Sequence, residues 1–404
     1  MQAISNSRLA LTLGNIGHLG DGTFGRALKC LNIVENKHYA VKVIRAVKRY
    51  NESAKTEADI LTDIGQKGGC DNGIVHLKEY FNYADKDGDH MCLVFETLGK
   101  SLYDFIKINK YKGYSLTQIQ SITRQCFQAL DFLHSIGLTH TDLKPENILL
   151  KNDAFEKVRN KGAWPMQVIK KKDIYGPSRY DDEHHTAIIN TRQYRAPEVI
   201  LGCQQWNTQS DIWSMACIVA ELYTGEMFYS THENIEHLAL MEKVCGVFPK
   251  HMAENSQQPY KDCFRLSSSE EFIKKEGMRL NWPRVAKKRE NIRNFDEMLT
   301  LDDLFHHQQA SHDHMLLKDF LAYMFILDPS KRPTASQCLR HPFLTTLFVD
   351  ETAEDDAKQM SIERSAEGSK STEKTLASTL SASRGPQTDS YLPPQAQYTS
   401  DLTQ

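Results

Sequence analysis

Alternation of apolar and polar positions marks the first fifty residues of the chain. Residues 27–31 (ALKCL) and 39–44 (YAVKVI) alternate or are rich in β-branched side chains. Such runs predict strands, because successive side chains of a strand point to opposite faces of a sheet. Residues 91–95 (MCLVF) are apolar throughout and predict a buried strand. The pattern therefore predicts a β-rich N-terminal part.

Apolar residues at helical spacing follow in two regions. Residues 52–64 place four apolar side chains on one helix face. These are Ala54, Ala58, Leu61 and Ile64. From residue 117 onward long amphipathic patterns dominate, and one stripe consists of Ile119, Ile122, Cys126, Phe127, Leu130 and Leu133. We expect an α+β fold in which a small β-rich part joins a larger helical part near Glu96–Gly99.

Composition divides the chain into three segments. Residues 1–9 form an N-terminal extension, and residues 10–348 carry the predicted strands and helices. From about residue 351, Ser, Thr, Gln and Pro are frequent and long apolar runs end. Such a composition buries too little apolar surface to fold, so residues 349–404 are expected to be a disordered, solvated tail.

Bulk composition excludes several classes of protein. The 404 residues are 40% hydrophobic and 25% charged, as in soluble globular enzymes. A formal net charge of −3 gives no field that favours nucleic acid, so we expect no direct nucleic-acid binding. The nine cysteines contain no CxxC pair, which favours reduced thiols over a disulfide scaffold or a zinc site. With no signal-peptide pattern and no apolar run of about 18 residues, a soluble intracellular protein without membrane contact is expected.

A glycine-rich segment, Gly20-Asp21-Gly22-Thr23-Phe24-Gly25, lies between two predicted strands. A GxGxxG pattern is weak evidence alone, because glycines often mark an ordinary turn. In a dinucleotide-binding fold the third glycine opens a helix, whereas residues 26–30 alternate here like a strand. Strand–glycines–strand is the hairpin that covers ATP phosphates, since glycine lets the backbone approach them closely.

Lys42 lies on a predicted apolar strand, where a lysine is more often an edge residue than a functional one. Glu57 follows fifteen residues later, in the first turns of the helix predicted over residues 52–64. The apolar face of that helix would bring Glu57 inward, although alone it could equally be a solvated surface residue. We expect a Lys42–Glu57 ion pair that holds the amine against the phosphates of ATP.

The segment 140–147 (HTDLKPEN) combines a carboxylate, an amine and an amide. Asp142 would orient a substrate hydroxyl as general base, and Lys144 would neutralise charge on the transferred phosphate. Asn147 would supply an amide oxygen to Mg²⁺. We interpret His140 as structural. Any one of these residues could be a loop or cap residue, but together they predict phosphoryl transfer from ATP with Mg²⁺.

Over roughly residues 10–348 the chain resembles the eukaryotic protein kinases, and within them the LAMMER, or CLK-type, kinases of the CMGC group. Residues 138–150 (LTHTDLKPENILL) have Thr141 where most kinases have arginine. Residues 180–185 (YDDEHH), 191–201 (TRQYRAPEVIL) and 93–107 (LVFETLGKSLYDFIK) match the family closely. Residues 236–242 (EHLALME) differ at one position from the family signature. The resemblance implies a two-lobed kinase fold, with an N-lobe of about residues 10–96 and a C-lobe of about 99–348.

The resemblance also implies roles for individual residues. Glu96 and Leu98 would bind adenine through their backbones, and Phe95 would be the gatekeeper. Other nucleotide contacts would come from Leu19, Ala27, Ala40 and Leu149, beside the glycine-rich segment. Glu198 would pair with Arg332. Asp211 would tie residues 140–147, called the catalytic segment below, to a central helix. Residues 236–242 are expected to serve packing rather than chemistry.

The metal-binding Asp-Phe-Gly of the family is altered here. The nearest match is Asp173-Ile174-Tyr175-Gly176, which is one residue longer. Counting forward from residue 169 places Asp173 at the aspartate position, whereas counting backward from Tyr180 places Ile174 there. We interpret Asp173 as the second Mg²⁺ ligand, because Mg²⁺ needs a carboxylate. If Asp173 does not reach the metal, the chain is a weak kinase or a pseudokinase scaffold.

Resemblance to the family implies substrates and regulation as well. Such kinases phosphorylate Ser and Thr in arginine-rich segments, notably splicing factors with Arg-Ser repeats, and autophosphorylate on tyrosine. We expect a monomer in the nucleus; CLK-like kinases also act at kinetochores, which stays an alternative. Asp181, Asp182 and Glu183 are candidate contacts for a basic substrate. Thr141 cannot gather an activation-loop phosphate, so we expect activity without an upstream kinase, while Thr191 is a candidate autophosphorylation site.

Overall fold

The computed structural model describes residues 12–22, 24–151, 174–175, 179–180, 189–203, 206–266, 277–306 and 311–348. The glycine-rich residue Thr23, the predicted metal ligand Asp173, the acidic segment 181–183 and both terminal segments, 1–11 and 349–404, lie outside the described residues. The described helices include none with the length and apolar content that a bilayer crossing requires.

A five-stranded antiparallel sheet forms the N-terminal lobe. Its spatial order is β1-β2-β3-β5-β4, so only β5 is placed out of chain order. The predicted runs 27–31, 39–44 and 91–95 all fall within strands. The strands are β1 (Leu13–Asp21), β2 (Gly25–Asn32), β3 (Lys37–Ile44), β4 (Leu77–Asp85) and β5 (Gly88–Glu96).

One helix, α1 (Lys48–Gln66), packs on this sheet. It buries Ala54, Ala58 and Leu61, three of the residues that the helical spacing predicted, and the small alanines let it approach the strands closely. It begins earlier than predicted, at Lys48, which places Glu57 in its third turn rather than its first turns. The other face of the sheet has its own small apolar cluster, which contains Cys30, Tyr39, Val41, Phe81, Cys92 and Val94.

Helices dominate the C-terminal lobe, as the amphipathic pattern predicted. Helix α5 is buried from Ser210 to Leu222, as expected of a helix that is apolar on all sides. The helices are α2 (Leu102–Ile108), α3 (Leu116–Ser135), α4 (Pro197–Leu201), α5 (Gln209–Thr224), α6 (Asn234–Cys245), α7 (Lys250–Glu254), α8 (Arg289–Glu297), α9 (Leu301–His306), α10 (His312–Met324), α11 (Ala335–Leu339) and α12 (Pro342–Thr345).

Short strands complete the C-terminal lobe. Strand β6 (Leu138–Thr139) pairs with β9 (Arg179–Tyr180), and β7 (Leu149–Leu150) pairs with β8 (Ile174–Tyr175). These pairs flank the catalytic segment on both sides. A separate three-stranded sheet contains β10 (Phe248–Pro249), β11 (Phe264–Leu266) and β12 (Gly277–Leu280).

The segment 236–242 lies in α6, and its first two residues, Glu236 and His237, are buried. Carboxylate oxygens of Glu236 accept hydrogen bonds from Thr231 at 2.7 Å, Asn291 at 2.8 Å and Asn294 at 3.1 Å. The neighbouring His237 is fully buried, and burial lowers its pKa to about 3. The segment therefore joins α6 to α8, and the predicted packing role is confirmed.

A buried ion pair holds the start of α4 to the segment before α11. Glu198 accepts two hydrogen bonds from the Arg332 guanidinium, at 2.9 and 3.0 Å, and both side chains are at most 1% exposed. Backbone carbonyls of Ile326, Gln209 and Leu327 accept the other three N–H groups of Arg332. All five donors are satisfied, so the predicted pair is confirmed as a fully bonded buried pair.

Candidate active site

Lys42 and Glu57 form an ion pair within the N-terminal lobe. The Lys42 Nζ lies 2.7 Å from each carboxylate oxygen of Glu57. Strand β3 carries the lysine and α1 carries the glutamate, so the pair forms only when the helix packs against the sheet. The predicted ion pair is confirmed. It presents a fixed ammonium group, as binding of ATP phosphates requires.

The phosphate loop, defined here as Gly20–Gly25, joins β1 and β2, and its described residues bring the two strands together. The Gly22 N–H donates to the Gly25 carbonyl at 2.9 Å. A Cβ on Gly25 would lie 2.2 Å from the Val43 carbonyl oxygen, so only glycine fits against β3. A Cβ on Gly20 would meet no atom within 4 Å. Gly25 therefore serves packing, while Gly20 leaves the backbone open to a phosphate.

Two side chains of the phosphate loop have partners within the protein. Asp21 forms an exposed ion pair with Arg26 at 3.1 Å, and its carboxylate lies 3.3 Å from His18 Nε2. The Phe24 ring packs edge-on against Tyr50 of α1, with 5.3 Å between ring centroids. Both residues were predicted to contact nucleotide, and those roles stay predictions. Leu19, on β1, is about half exposed.

The predicted nucleotide contacts of the sheet lie on adjacent strands that lead to the junction of the lobes. Ala27 pairs with Lys42 across β2 and β3, and Ala40 pairs with Phe95 across β3 and β5. Strand β5 ends at Glu96. The chain then crosses to the C-terminal lobe, where the Gly99 N–H donates to the Leu150 carbonyl at 2.6 Å. This bond brings Leu98 and Leu149, both partly buried, to the same junction.

Asp211 of α5 anchors the backbone of the catalytic segment. Its carboxylate accepts the N–H groups of His140 at 2.7 Å and Thr141 at 3.1 Å. Thr141 is left-handed, with φ 67°, and its carbonyl accepts the Asn190 N–H at 2.9 Å. Asn190 is also left-handed, with φ 61°. The predicted tie to a central helix is confirmed, and it holds a strained turn beside Asp142.

His140 supports the turn by a hydrogen bond with the Asp142 backbone. It is buried, its Nδ1 accepts the Asp142 N–H at 3.3 Å, and burial lowers its pKa. A neutral ring is the form that can accept this hydrogen bond. The structural role predicted for His140 is therefore confirmed.

Three side chains fix the Asp142 carboxylate. Lys144 Nζ lies 2.9 Å from Oδ2, and Asn147 Nδ2 donates to Oδ2 at 3.0 Å. The Thr191 hydroxyl donates to Oδ1 at 2.9 Å and accepts a hydrogen bond from Lys144 Nζ, also at 2.9 Å. The sequence brought Asp142, Lys144 and Asn147 together by their spacing. It marked Thr191 only as a modification site, whereas its hydroxyl bridges the predicted base and the predicted cation.

The amide of Asn147 fits a metal ligand. Its nitrogen donates to the Asp142 carbonyl at 2.8 Å as well as to the Asp142 carboxylate. Both N–H groups are thereby used, and the amide oxygen is the atom that remains for a hard cation such as Mg²⁺. The metal would neutralise phosphate charge. Asp173 lies outside the described residues, and the next two residues, Ile174 and Tyr175, pair with Leu150 and Leu149.

The arrangement can orient an attacking hydroxyl and stabilise transferred phosphate. Asp142 is held by three donors, and its side chain is 43% exposed, so a substrate hydroxyl can reach it. Lys144 lies beside it and can serve as a cation for the moving phosphoryl group, while Lys42, paired with Glu57, can serve the phosphates that stay behind.

Comparisons with known proteins agree with this geometry. The protein kinase domain family matches residues 14–344. The dual specificity protein kinase lkh1 of Schizosaccharomyces pombe is 35% identical over 350 residues, which cover 85% of this chain and 48% of lkh1. The serine/threonine-protein kinase AFC3 of Arabidopsis thaliana is 36% identical over 339 residues, 81% of this chain and 80% of AFC3. The chain thus spans just under half the length of lkh1.

A solved structure agrees in fold as well as in sequence. The crystal structure of the PF14_0431 kinase domain is 38% identical, with a TM-score of 0.72, over 85% of this chain and 98% of that one. It confirms the predicted two-lobed kinase fold. The chain therefore belongs to the protein kinase family, and within it to the LAMMER, or CLK-type, kinases.

Proposed function

We propose that the chain is an active, Mg²⁺-dependent kinase. It transfers the γ-phosphate of ATP to Ser and Thr hydroxyls of arginine-rich proteins and to its own tyrosines. It acts as a monomer in the nucleus, where proteins with Arg-Ser repeats, such as splicing factors, are its substrates. The observation that carries the proposal is the bonded set of Asp142, Lys144, Asn147 and Thr191.

This set favours turnover over a purely binding role. A scaffold needs an intact fold, but it has no need for a base, a cation and an amide within hydrogen-bond distance of one carboxylate. The Lys42–Glu57 pair supplies the further ammonium that phosphoryl transfer uses. Catalysis of this kind rests on positioning and charge, and both are in place among the described residues.

An exposed carboxylate near Asp142 supports a basic substrate. Glu146 is exposed four residues after Asp142, and Glu221 of α5 is buried and accepts the Tyr194 hydroxyl at 2.6 Å. Burial is the main cause that raises the pKa of Glu221 to about 7; the hydrogen bond from Tyr194 acts against it, and the charge of Glu146 acts in the same direction as burial. Glu146, the exposed one of the two, offers a carboxylate that a guanidinium group of a substrate can pair with.

Phosphoryl transfer to a peptide series tests the proposal. The enzyme is incubated with ATP and Mg²⁺ and with peptides that contain Ser-Arg repeats, or the same peptides with lysine or alanine for arginine. We expect transfer to serine that falls in the order arginine, lysine, alanine, and none in Asp142→Asn. The exposed Asp87→Asn, in the β4–β5 turn, is the matched control and should behave as wild type. No transfer by the wild type would refute the enzyme and favour a scaffold.

The second metal ligand has its own test. If Asp173 holds Mg²⁺ together with Asn147, Asp173→Ala should raise the Mg²⁺ concentration needed for half-maximal transfer, or abolish transfer altogether. Asp173→Ala with an unchanged Mg²⁺ dependence would show that another group completes the metal site.

Thr141 supports activity without an upstream kinase. Most kinases use an arginine there to bind a phosphate, whereas the Thr141 side chain is neutral and buried. Protein treated with phosphatase, and free of phosphate by mass spectrometry, should therefore phosphorylate peptide at once. A requirement for prior treatment by another kinase would contradict this reading. Imaging of a fluorescent fusion tests the nuclear location.

A further inference from the structure

A stack of three side chains joins the tip of the phosphate loop to helix α1. The Phe24 ring meets Tyr50 edge-on, at 5.3 Å between centroids and an interplanar angle of 89°. The Arg49 guanidinium lies 4.9 Å from the centroid of the Tyr50 ring, and its Nη2 donates to the Tyr50 hydroxyl at 3.2 Å. Phe24 is 55% exposed, so this stack, rather than a core, is what holds its ring.

Backbone contacts bring the same segments together. The Arg45 N–H donates to the Phe24 carbonyl at 2.9 Å, and Arg45 Nη2 donates to the Gly22 carbonyl at 3.4 Å. Arg45 leads directly into α1. These contacts join the loop to the end of β3, while the Phe24–Tyr50 contact joins it to the helix itself.

Tyr50 and Glu57 lie on one face of α1. They are seven residues apart, which is close to two full turns and about 10 Å along the axis. Glu57 holds Lys42 from this face, and Tyr50 holds the phosphate loop from it. A single helix thus contacts both Lys42 and the phosphate loop, which would surround the ATP phosphates. The two contacts are about two helical turns apart.

We propose that Tyr50 is a positioning residue that sets the phosphate loop through its stack with Phe24, and so couples the loop to the position of α1 and its Glu57–Lys42 pair. The inference rests on the proposed phosphoryl-transfer function, since it assigns the loop to ATP phosphates. Edge-to-face pairs of this kind correspond to an affinity change of about 2- to 10-fold.

Nucleotide binding separates this role from a general structural one. The affinities of ADP and of adenosine are measured by calorimetry for wild type, Tyr50→Ala and Tyr50→Phe. We expect Tyr50→Ala to weaken ADP about 2- to 10-fold and to leave adenosine unchanged, because adenosine has no phosphate for the loop to hold. Tyr50→Phe keeps the ring and should match wild type. The matched control is Tyr80→Ala, an exposed tyrosine on β4.

A double-mutant cycle identifies the partner. In a Phe24→Ala background, Tyr50→Ala should weaken ADP no further, because the contact is already absent. The inference is wrong if Tyr50→Ala binds ADP like wild type, if it weakens adenosine as much as ADP, or if the two substitutions are additive. A wild type that binds ADP through Tyr50 but transfers no phosphate would refute the proposed function and leave this inference standing.

Discussion

Removal of the Thr191 hydroxyl should reduce turnover by disordering the predicted base. This hydroxyl donates to Asp142 Oδ1 and accepts from Lys144 Nζ, both at 2.9 Å. Thr191→Val keeps the shape of the side chain and deletes both hydrogen bonds. Asp142 can then rotate, and Lys144 loses one of its two oxygen partners.

The expected size follows from the charge and exposure of the partners. A hydrogen bond to a charged group contributes about 1.5–3 kcal/mol. Asp142 is 43% and Lys144 23% exposed at their side chains, so water screens both contacts and lowers each contribution to about 1–1.5 kcal/mol. Two such bonds amount to about 2–3 kcal/mol, which corresponds to a fall in kcat of about 30- to 150-fold.

Steady-state kinetics with a Ser-Arg peptide measures this effect. We expect kcat to fall in Thr191→Val while the KM for ATP stays within about twofold, because Thr191 lies on the side of the substrate hydroxyl. Thr191→Ser retains the hydroxyl and should recover most of the activity. Equal losses in the serine and valine variants, or an unchanged kcat in Thr191→Val, would show that the bridge is irrelevant to turnover.

Three further predictions concern other parts of the molecule. Glu57→Gln keeps the shape of its side chain but removes the charge opposite Lys42, so kcat/KM for ATP should fall about fivefold in steady-state kinetics. Glu198→Ala leaves the Arg332 cation buried without its anion and should lower the free energy of unfolding by about 3–5 kcal/mol in denaturant titrations. Because the pKa of Glu221 is raised from 4.5 to about 7, the folded protein binds the extra proton. Stability should therefore fall as pH rises from about 4.5 to 7, with a shallower fall in Glu221→Gln; equal slopes would contradict this.

Contacts between residues close in sequence could be predicted well. The Lys42–Glu57 pair spans fifteen residues and needs only one strand and one adjoining helix, both of which have clear periodicity. The spacing of Asp142, Lys144 and Asn147 suffices to predict that their side chains meet, because a turn within five residues brings them close together. The predicted start of α1 was late, because residues 48–51 are polar and carry no helical apolar pattern.

Contacts across long separations needed the fold. Thr191 lies 49 residues from Asp142, and nothing in the local pattern around it indicates that its hydroxyl reaches a carboxylate. The Phe24–Tyr50 stack is similar, since a loop phenylalanine and a helix tyrosine have no shared periodicity. Glu198 and Arg332, 134 residues apart, were paired only through the resemblance to the family.

The amino-acid sequence by itself indicated three strands of the sheet and the helices α1 and α3, and it determined the chemical groups of the catalytic segment. Both are local properties, set by side-chain periodicity and by spacing within a few residues. Tertiary structure decided which distant groups complete the site: Asp211 beneath the turn at Thr141, and Thr191 against Asp142. These contacts depend on how helices and strands pack, because burial of apolar faces, rather than the polar groups themselves, brings the distant segments together.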